Sequence, residues 1–192
     1  LKAHGDFILP TNVPANQFMN LEGRKLSTSK NWAVWVHEYV EEFVGMEDVL
    51  RYNMIKNMPE QRDSEFTRKG FQETNNNELV NNLANFINRV AVLVHKYYLG
   101  VVPDFDPELP IWSGFDSTKT SLHEQEMLKI HHKIEALGQE IDRFNFREAA
   151  NKLMEISSIG NAMLQANEPW KTYKTEPEKV KVVLNLGLQI VG

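Results

Sequence analysis

Residues 79–98 read LVNNLANFINRVAVLVHKYY, and this stretch decides the fold. Its apolar residues recur four and three positions apart, a spacing that collects them along one side of an α-helix. They are Leu79, Leu83, Phe86, Val90, Leu93 and Tyr97. The pattern predicts one long helix over residues 66–100, with a break near Gly70.

Three further stretches carry the same helical spacing. We predict helices over residues 121–144, 146–166 and 177–190. Asn145 is expected to cap the second of these, with Glu148 three residues on. The positions expected to point inward are Met127, Ile130, Ile134, Leu137 and Ile141 in the first helix, and Phe146, Ala149, Leu153, Ile156, Gly160 and Met163 in the second. Helices with one apolar stripe must bury it against one another, so the fold class is mainly α, a helical bundle.

The residues before this bundle follow a different pattern. Prolines and Gly23 interrupt short extended stretches, which indicates strands and loops. Two short helices follow. We therefore divide the chain into a small strand, loop and helix segment over residues 1–60 and a helical domain over residues 61–192.

Composition places the chain among ordinary globular proteins, since 42% of its 192 residues are hydrophobic and 24% are charged. A net charge of −5 argues against nucleic-acid binding by bulk electrostatics, although a local site can still read a few bases. The sequence has no cysteine, which excludes disulfides and thiolate metal sites and fits a reducing compartment. No apolar run reaches the length of a membrane span, so no membrane partner is expected.

Neither the histidines nor the acidic residues predict a metal site. His131 and His132 are adjacent, so on a helix they point about 100° apart and cannot share an ion. Asp104, Asp106 and Glu108 alternate along a proline-rich connection that lacks the spacing of a calcium loop. We interpret these carboxylates as part of a solvated linker and expect no metal ligand in the chain.

Residues 22–30, EGRKLSTSK, bring together three cations, three hydroxyls and a glycine. A phosphate-binding loop has this composition, because cations supply charge, hydroxyls donate hydrogen bonds and glycine lets the backbone approach closely. A polar surface turn has it too, and the loop alone does not decide between the two.

Two features of the helical domain are candidates for recognising nucleobases. Asn85 and Arg89 lie four residues apart on one helix flank, and their amide and guanidinium groups can bond base edges or phosphates. Two further polar residues of this flank are Asn82 and Lys96. Pro169 and Trp170 lie between two helices, where a Trp either fills the core or stacks on an unpaired base. A solvated helix face is the alternative for the first feature, and a core Trp for the second.

In their order along the chain, these features resemble the methionyl-tRNA synthetases, a family of class I aminoacyl-tRNA synthetases. The resemblance covers essentially the whole chain. The segments that carry it are His4-Gly5, Leu21 to Lys30, Asn31-Trp32-Ala33-Val34-Trp35, Leu50-Arg51-Tyr52, the pair Asn85 and Arg89, and Glu168-Pro169-Trp170-Lys171. It implies a C-terminal fragment in which residues 1–60 end the catalytic Rossmann domain and residues 61–192 form an α-helical anticodon-binding domain.

The resemblance also implies a role for the polar loop. Lys25-Leu26-Ser27-Thr28-Ser29 occupies the place of the family's KMSKS motif, whose lysines stabilise the pyrophosphate leaving group as methionyl-adenylate forms. Thr28 stands where the motif has its second lysine, and we hypothesise that Lys30 takes over that charge. The catalytic set of the parent enzyme then comprises Lys25, Ser27, Thr28, Ser29 and Lys30, acting on ATP with Mg²⁺.

In the helical domain, the resemblance implies that Asn85 and Arg89 contact anticodon bases. Trp170 would stack on the first base of the CAU anticodon, a cytosine, and Pro169 would stiffen the turn that carries it. The partner of the chain is then the anticodon loop of methionine tRNA, with ATP and methionine as substrates of the full-length enzyme.

The family's HIGH motif and its cysteine zinc ligands do not occur among these residues. We therefore expect a monomeric fragment that binds no ATP and is inactive alone, with any zinc outside the chain. Its start at Leu1 also suggests a piece of something larger. The parent is expected to be a cytoplasmic methionine-tRNA ligase.

Two other interpretations stay open. One is another class I synthetase with a helical anticodon domain, such as the leucine, isoleucine, valine or cysteine enzymes. The other is a free-standing helical module that binds RNA or protein. The combination of Asn85 and Arg89 with Pro169 and Trp170 favours the methionine enzymes over the first, and the strand at the N-terminus speaks against the second.

Overall fold

The computed structural model describes residues 4–105 and 122–192. Asp106, Glu108 and the predicted helix start at Ser121 lie outside the described residues. The strands are β1 (Met19–Leu21), β2 (Arg24–Lys25) and β3 (Ser64–Phe66). The helices are α1 (Val36–Glu42), α2 (Glu47–Lys56), α3 (Arg68–Thr74), a π-helical segment (Asn75–Ala84), α4 (Asn85–Tyr98), α5 (Leu122–Asp142), α6 (Phe146–Asn167), α7 (Pro169–Thr172) and α8 (Pro177–Val191).

β1 is the central strand of a small sheet. It pairs antiparallel with β2 and parallel with β3. Glu22 and Gly23 join β1 to β2 with positive φ angles of 49° and 74°, the backbone of a two-residue hairpin turn, which favours glycine. The backbone N–H of Glu22 also donates to the carbonyl of Phe66 at 3.0 Å. The sheet therefore fixes the hairpin from which the polar loop starts.

The predicted long helix starts two residues late because Phe66 ends β3 and lies buried in the smaller core. Thr67 caps α3, and its hydroxyl oxygen accepts from the backbone N–H of Gly70 at 2.9 Å. The helix continues through Gly70, so the predicted break there is wrong.

Downstream of α3 the helix changes its hydrogen bonding instead. Residues 75–84 form a π-helical segment, and α4 then resumes the α-helical pattern as far as Leu99, whose φ of 56° ends it. Such segments are rare and occur often at functional sites. This one lies directly before Asn85.

Helices α4, α6 and α8 share one core, and α5 and α7 pack against it, which confirms the predicted bundle and the mainly α fold class. Phe86, Val90 and Leu93 of the predicted seam are buried there against α6 and α8. The other buried members of this core are Val94, Met163, Leu164, Val180, Val182, Val183, Leu184 and Leu186.

Some residues predicted to point inward are exposed. Ile134 and Ile141 of α5 are 51% and 45% exposed, because α5 packs mainly on α6 and buries only part of its stripe. On α6, Leu153 is 43% exposed and its neighbour Met154 is buried instead. α6 contacts α2, the π-helical segment, α5 and α8, so the simple stripe used for the prediction does not describe its buried surface.

The predicted cap of α6 is also wrong. Asn145 precedes the helix but makes no side-chain cap, and its amide donates to Glu140 at 2.8 Å. The Glu60 carboxylate instead accepts from the backbone N–H of Arg147 at 2.9 Å, in the first turn of α6. A carboxylate from 87 residues upstream supplies the anion that a helix N-terminus favours.

A polar cluster joins the first part of the chain to the bundle. Tyr52 and Lys56 of α2 both contact the Glu78 carboxylate of the π-helical segment, and the Lys56–Glu78 ion pair is 3.0 Å long. Lys56 also donates to Asn151 of α6. Burial, and then the bond to Glu78, raises the pKa of Tyr52 well above its usual value.

No helix in the described ranges is long and apolar enough to cross a membrane.

Candidate nucleic-acid interface

Trp170 lies on a sharp turn between two long helices. Glu168 ends α6 with a φ of 41°, and Pro169 occupies the first position of α7, where its missing N–H costs no hydrogen bond. Pro169 is buried, whereas Trp170 is half-buried and packs against the edge of the bundle core. The indole is therefore anchored in the core without being enclosed by it.

Arg89 of α4 lies against this indole. Its guanidinium carbon is 5.1 Å from the centre of the Trp170 ring, within the range of a cation–π contact. Asn85 lies one turn earlier on the same helix and is exposed. The structure thus brings together the two predicted features, Asn85 with Arg89 and Pro169 with Trp170, which are about 80 residues apart in sequence.

Two residues of α6 complete this group. Asn161 accepts hydrogen bonds from the side chains of both Asn85 and Arg89, each at 3.4 Å, through the same amide oxygen. Gln165 accepts a third from Arg89, also at 3.4 Å. We call Asn85, Arg89, Asn161, Gln165 and Trp170 the Trp170 patch. It combines a stacking ring with amide and guanidinium groups, the chemistry that reads unpaired bases.

Sequence reasoning missed Asn161 and Gln165. They are four residues apart on α6, as Asn85 and Arg89 are on α4, and Asn161 follows Gly160. A glycine inside a helix often marks a close approach of a neighbouring element, and that was the available signal.

The other polar residues predicted on the flank of α4 behave differently. Asn82 turns toward α6 and donates to the carbonyl of Met154 and the hydroxyl of Ser158, each at 3.0 Å. Lys96 is exposed, and its ammonium lies 5.3 Å from the centre of the Tyr97 ring. Asn82 thus joins helices, and Lys96 offers a surface charge.

The second half of the polar loop, residues 22–30, forms a short closed turn after β2. The backbones of Ser27 and Trp32 exchange two hydrogen bonds, both 2.9 Å long, and the Ser27 and Ser29 hydroxyls are 3.2 Å apart. Lys25 lies 5.0 Å from the centre of the Phe18 ring. Thr28 and Lys30 are exposed, and within residues 4–105 and 122–192 neither Lys25 nor Lys30 has an ion-pair partner. The loop therefore displays its two lysines to solvent.

A cleft of about 700 Å³ lies next to this loop, between the sheet and α1. Its lining is mainly apolar and aromatic and includes Trp32, Trp35, Tyr39, Phe43 and Phe71, but neither lysine of the loop.

Among the described residues, no three His, Asp or Glu side chains are grouped to hold a metal ion.

Comparison with known families gives two matches that together span most of the chain. Residues 1–91 match the family of class I tRNA synthetases (M), and residues 116–192 match the anticodon-binding domain of methionyl tRNA ligase. They define the class as part of a class I aminoacyl-tRNA synthetase with a helical anticodon-binding domain.

Individual relatives agree with these matches. The methionine–tRNA ligases of Christiangramia forsetii and Porphyromonas gingivalis are each 50% identical to the chain over 192 residues. The whole chain is covered in both, but it spans only 26% and 27% of these relatives. A solved structure of Mycobacterium tuberculosis methionyl-tRNA synthetase with methionyl-adenylate has the same fold, with a TM-score of 0.75 at 18% identity, over 92% of this chain and 33% of that one. The chain belongs to the methionyl-tRNA synthetase family, with an anticodon-binding domain.

Proposed function

We propose that this chain is the part of a methionine-tRNA ligase that binds the CAU anticodon of methionine tRNA. Residues 1–60 end the catalytic domain and residues 61–192 form the anticodon-binding domain. The observation that carries the proposal is the Trp170 patch, where Arg89 lies over the Trp170 ring and shares an acceptor with Asn85. The family match to an anticodon-binding domain over residues 116–192 supports it.

In this proposal Trp170 stacks on the first anticodon base, the cytosine. Arg89 now covers the ring at 5.1 Å, so the base displaces the guanidinium from the ring face. The freed guanidinium and the Asn85 amide then donate to edges of the anticodon bases. Pro169 keeps the indole in place, because it is buried and fixes the first turn of α7.

The polar loop acts in the intact ligase, where methionine and ATP with Mg²⁺ are the substrates. Lys25 and Lys30 bring charge to the phosphates of ATP as methionyl-adenylate forms, and Ser27, Thr28 and Ser29 donate hydrogen bonds to them. Lys30 supplies the charge that Thr28 lacks. The exposure of both lysines, and the absence of an ion-pair partner for either among the described residues, support this role. By itself the chain forms no adenylate and is a monomer, and any zinc of the ligase is held elsewhere.

The proposal is tested by titrating the 192-residue chain with a labelled anticodon stem-loop and measuring fluorescence anisotropy. We expect tighter binding of the CAU stem-loop than of stem-loops altered at any one anticodon base. Equal binding of all of these would overturn the proposal.

The contribution of Trp170 is tested by Trp170→Ala. Loss of stacking costs roughly 1–3 kcal/mol, so we expect the CAU stem-loop to bind about tenfold more weakly or worse. Trp35→Ala is the matched control, because Trp35 lies in the first part of the chain and donates to Asn31. The control is expected to bind like the unaltered chain. If Trp170→Ala also does so, the indole is a core residue and not a base platform.

A further inference from the structure

Asn161 lies at the centre of the Trp170 patch, although it was not among the site residues predicted from the sequence. Its amide oxygen is the shared acceptor for Asn85 and Arg89. Both bonds are 3.4 Å long, at the weak end of the range. One oxygen therefore links the two donors, and it holds them loosely enough for another acceptor to replace it.

The orientation of the Asn161 amide is fixed from its other end. The amide nitrogen donates to the backbone carbonyl of Asn82 at 3.0 Å, to the Asn82 side-chain oxygen at 3.2 Å and to the carbonyl of Ser157 at 3.3 Å. All three partners are acceptors, so the nitrogen must face them. The oxygen is then left to face Asn85 and Arg89.

Gly160, the residue before Asn161 on α6, lets α6 approach α4 closely. A Cβ atom at Gly160 would lie 2.4 Å from the Phe86 ring, so only glycine allows α6 this close to α4. Phe86 follows Asn85 and is fully buried. The close approach of the two helices brings Asn161 within reach of side chains on α4.

We infer that Asn161 is a positioning residue for anticodon recognition, which rests on the function proposed above. Before RNA arrives, it keeps the Asn85 amide and the Arg89 guanidinium side by side and directed to one place. When bases bind, these donors exchange the long bonds to Asn161 for bonds to base edges. The ordering of both side chains is thus completed before binding, which lowers its entropic cost.

The test compares Asn161→Ala with the matched control Asn185→Ala. Asn185 lies on α8 and also donates to a backbone carbonyl, that of Pro103, at 2.8 Å. Without Asn161 we expect the CAU stem-loop to bind about fivefold more weakly, the size expected for a lost hydrogen bond. The ratio of affinities for CAU and single-base variants should fall as well. A loss of folded protein alone would weaken all stem-loops equally and leave that ratio unchanged.

A double-mutant cycle with Arg89→Ala gives a second readout. Because Asn161 acts through Arg89 and Asn85, its removal in the Arg89→Ala background should cost clearly less than in the unaltered chain. If Asn161→Ala does not fold, Asn161→Asp replaces it. The carboxylate keeps the acceptor, places a negative charge against Arg89 and loses the donor to Asn82, so we expect weaker binding and a lower ratio.

Unchanged affinity ratios in a folded Asn161 variant would overturn this inference, as would fully additive losses with Arg89→Ala. Neither result would affect the proposed function if the unaltered chain still prefers the CAU stem-loop and Trp170→Ala still weakens binding of that stem-loop. If the unaltered chain shows no preference for CAU, the proposed function fails first.

Discussion

The polar loop and the Trp170 patch both offer cations and hydrogen-bond donors, yet they are supported differently. In the loop, Arg24 and Lys25 lie over the Trp32 and Phe18 rings, each 5.0 Å from the ring centre, and Lys30 is exposed. In the patch, Arg89 is held by two α6 side chains and the Trp170 ring.

This difference shows at which of the two sites the side chains are ordered by contacts within this chain. The patch has its donors directed by contacts between α4 and α6, so part of the ordering that binding requires is already complete. In the loop, Arg24 and Lys25 have ring contacts, but neither Lys25 nor Lys30 has an ion-pair partner among the described residues. We therefore expect the loop to be mobile here and the patch to carry the binding function of the chain.

The largest effect is expected from a substitution in the polar loop of the intact ligase, which should impair the reaction but not RNA binding. Lys25→Ala removes a cation from developing charge, so adenylate formation should slow about a hundredfold. Binding of the CAU stem-loop to the chain should not change. Pyrophosphate exchange measures the first effect and anisotropy the second.

Lys30 is tested in the same assay. If Lys30 replaces the second lysine of the motif, Lys30→Ala slows adenylate formation too, and Thr28→Lys restores it in that background. Lys69→Ala, an exposed lysine paired with Glu73 on α3, is the matched control and should have no effect. A fully active Lys30→Ala enzyme, with Lys25→Ala impaired, contradicts the role given to Lys30.

The next effect concerns the helix contact that supports the patch. Gly160→Ala places a methyl group 2.4 Å from the buried Phe86 ring, and overpacking of this kind costs about 1–3 kcal/mol. Gly138→Ala is the control, because a Cβ there meets nothing within 4 Å and alanine stabilises a helix by up to about 1 kcal/mol. Urea unfolding should show a lower free energy of unfolding for Gly160→Ala and a higher one for Gly138→Ala. Equal stability of both variants would mean that α4 and α6 are not held this close.

A smaller effect is expected where the two regions join. Glu78→Gln weakens the partly buried contacts with Lys56 and Tyr52, so we expect a loss of about 1–2 kcal/mol in urea unfolding. Asp48→Asn is the matched control, since its pair with Arg51 is exposed and should contribute under about 0.5 kcal/mol. If both substitutions cost the same, the cluster does not join the regions.

The smallest effect is a dependence of stability on pH. Hydrogen bonds from Lys152 and Asn151 lower the pKa of Glu148 below its usual value, and a bond from Lys133 lowers the pKa of Glu155. A lowered pKa in the folded state means stability that is present above the unfolded pKa, near 4.5, and is lost as the pH falls through the folded value.

Both carboxylates are partly exposed, at 44% and 41%, so the total should stay under about 1 kcal/mol. Melting curves between pH 7 and pH 3 measure it. The double variant Glu148→Gln, Glu155→Gln should lose less stability over this range than the unaltered chain. An identical pH dependence would contradict the assignment.

Local pattern was enough to predict the helices of the bundle and the seam of α4, because apolar spacing reports which face of a helix is buried. It failed where the partner is distant in sequence. β3 was missed because its three residues are ordered by pairing with β1, 45 residues upstream. The cap of α6 was misassigned because the acceptor is Glu60 rather than the local Asn145.

The site shows the same division. Asn85, Arg89 and Trp170 could be proposed from spacing and from a family resemblance, but spacing could not place Arg89 on the Trp170 ring. Asn161 was not predicted at all, since its importance lies in bonds to residues 72–79 positions away.

The central claim is that Trp170 stacks on the first anticodon base, and a cycle between protein and RNA tests it most directly. Affinities are measured for the unaltered chain and Trp170→Ala, each with a CAU stem-loop and with the same stem-loop lacking its first anticodon base. We expect Trp170→Ala to lose at least about tenfold with the intact loop and less than about twofold with the abasic one. Equal losses with both RNAs would contradict the claim.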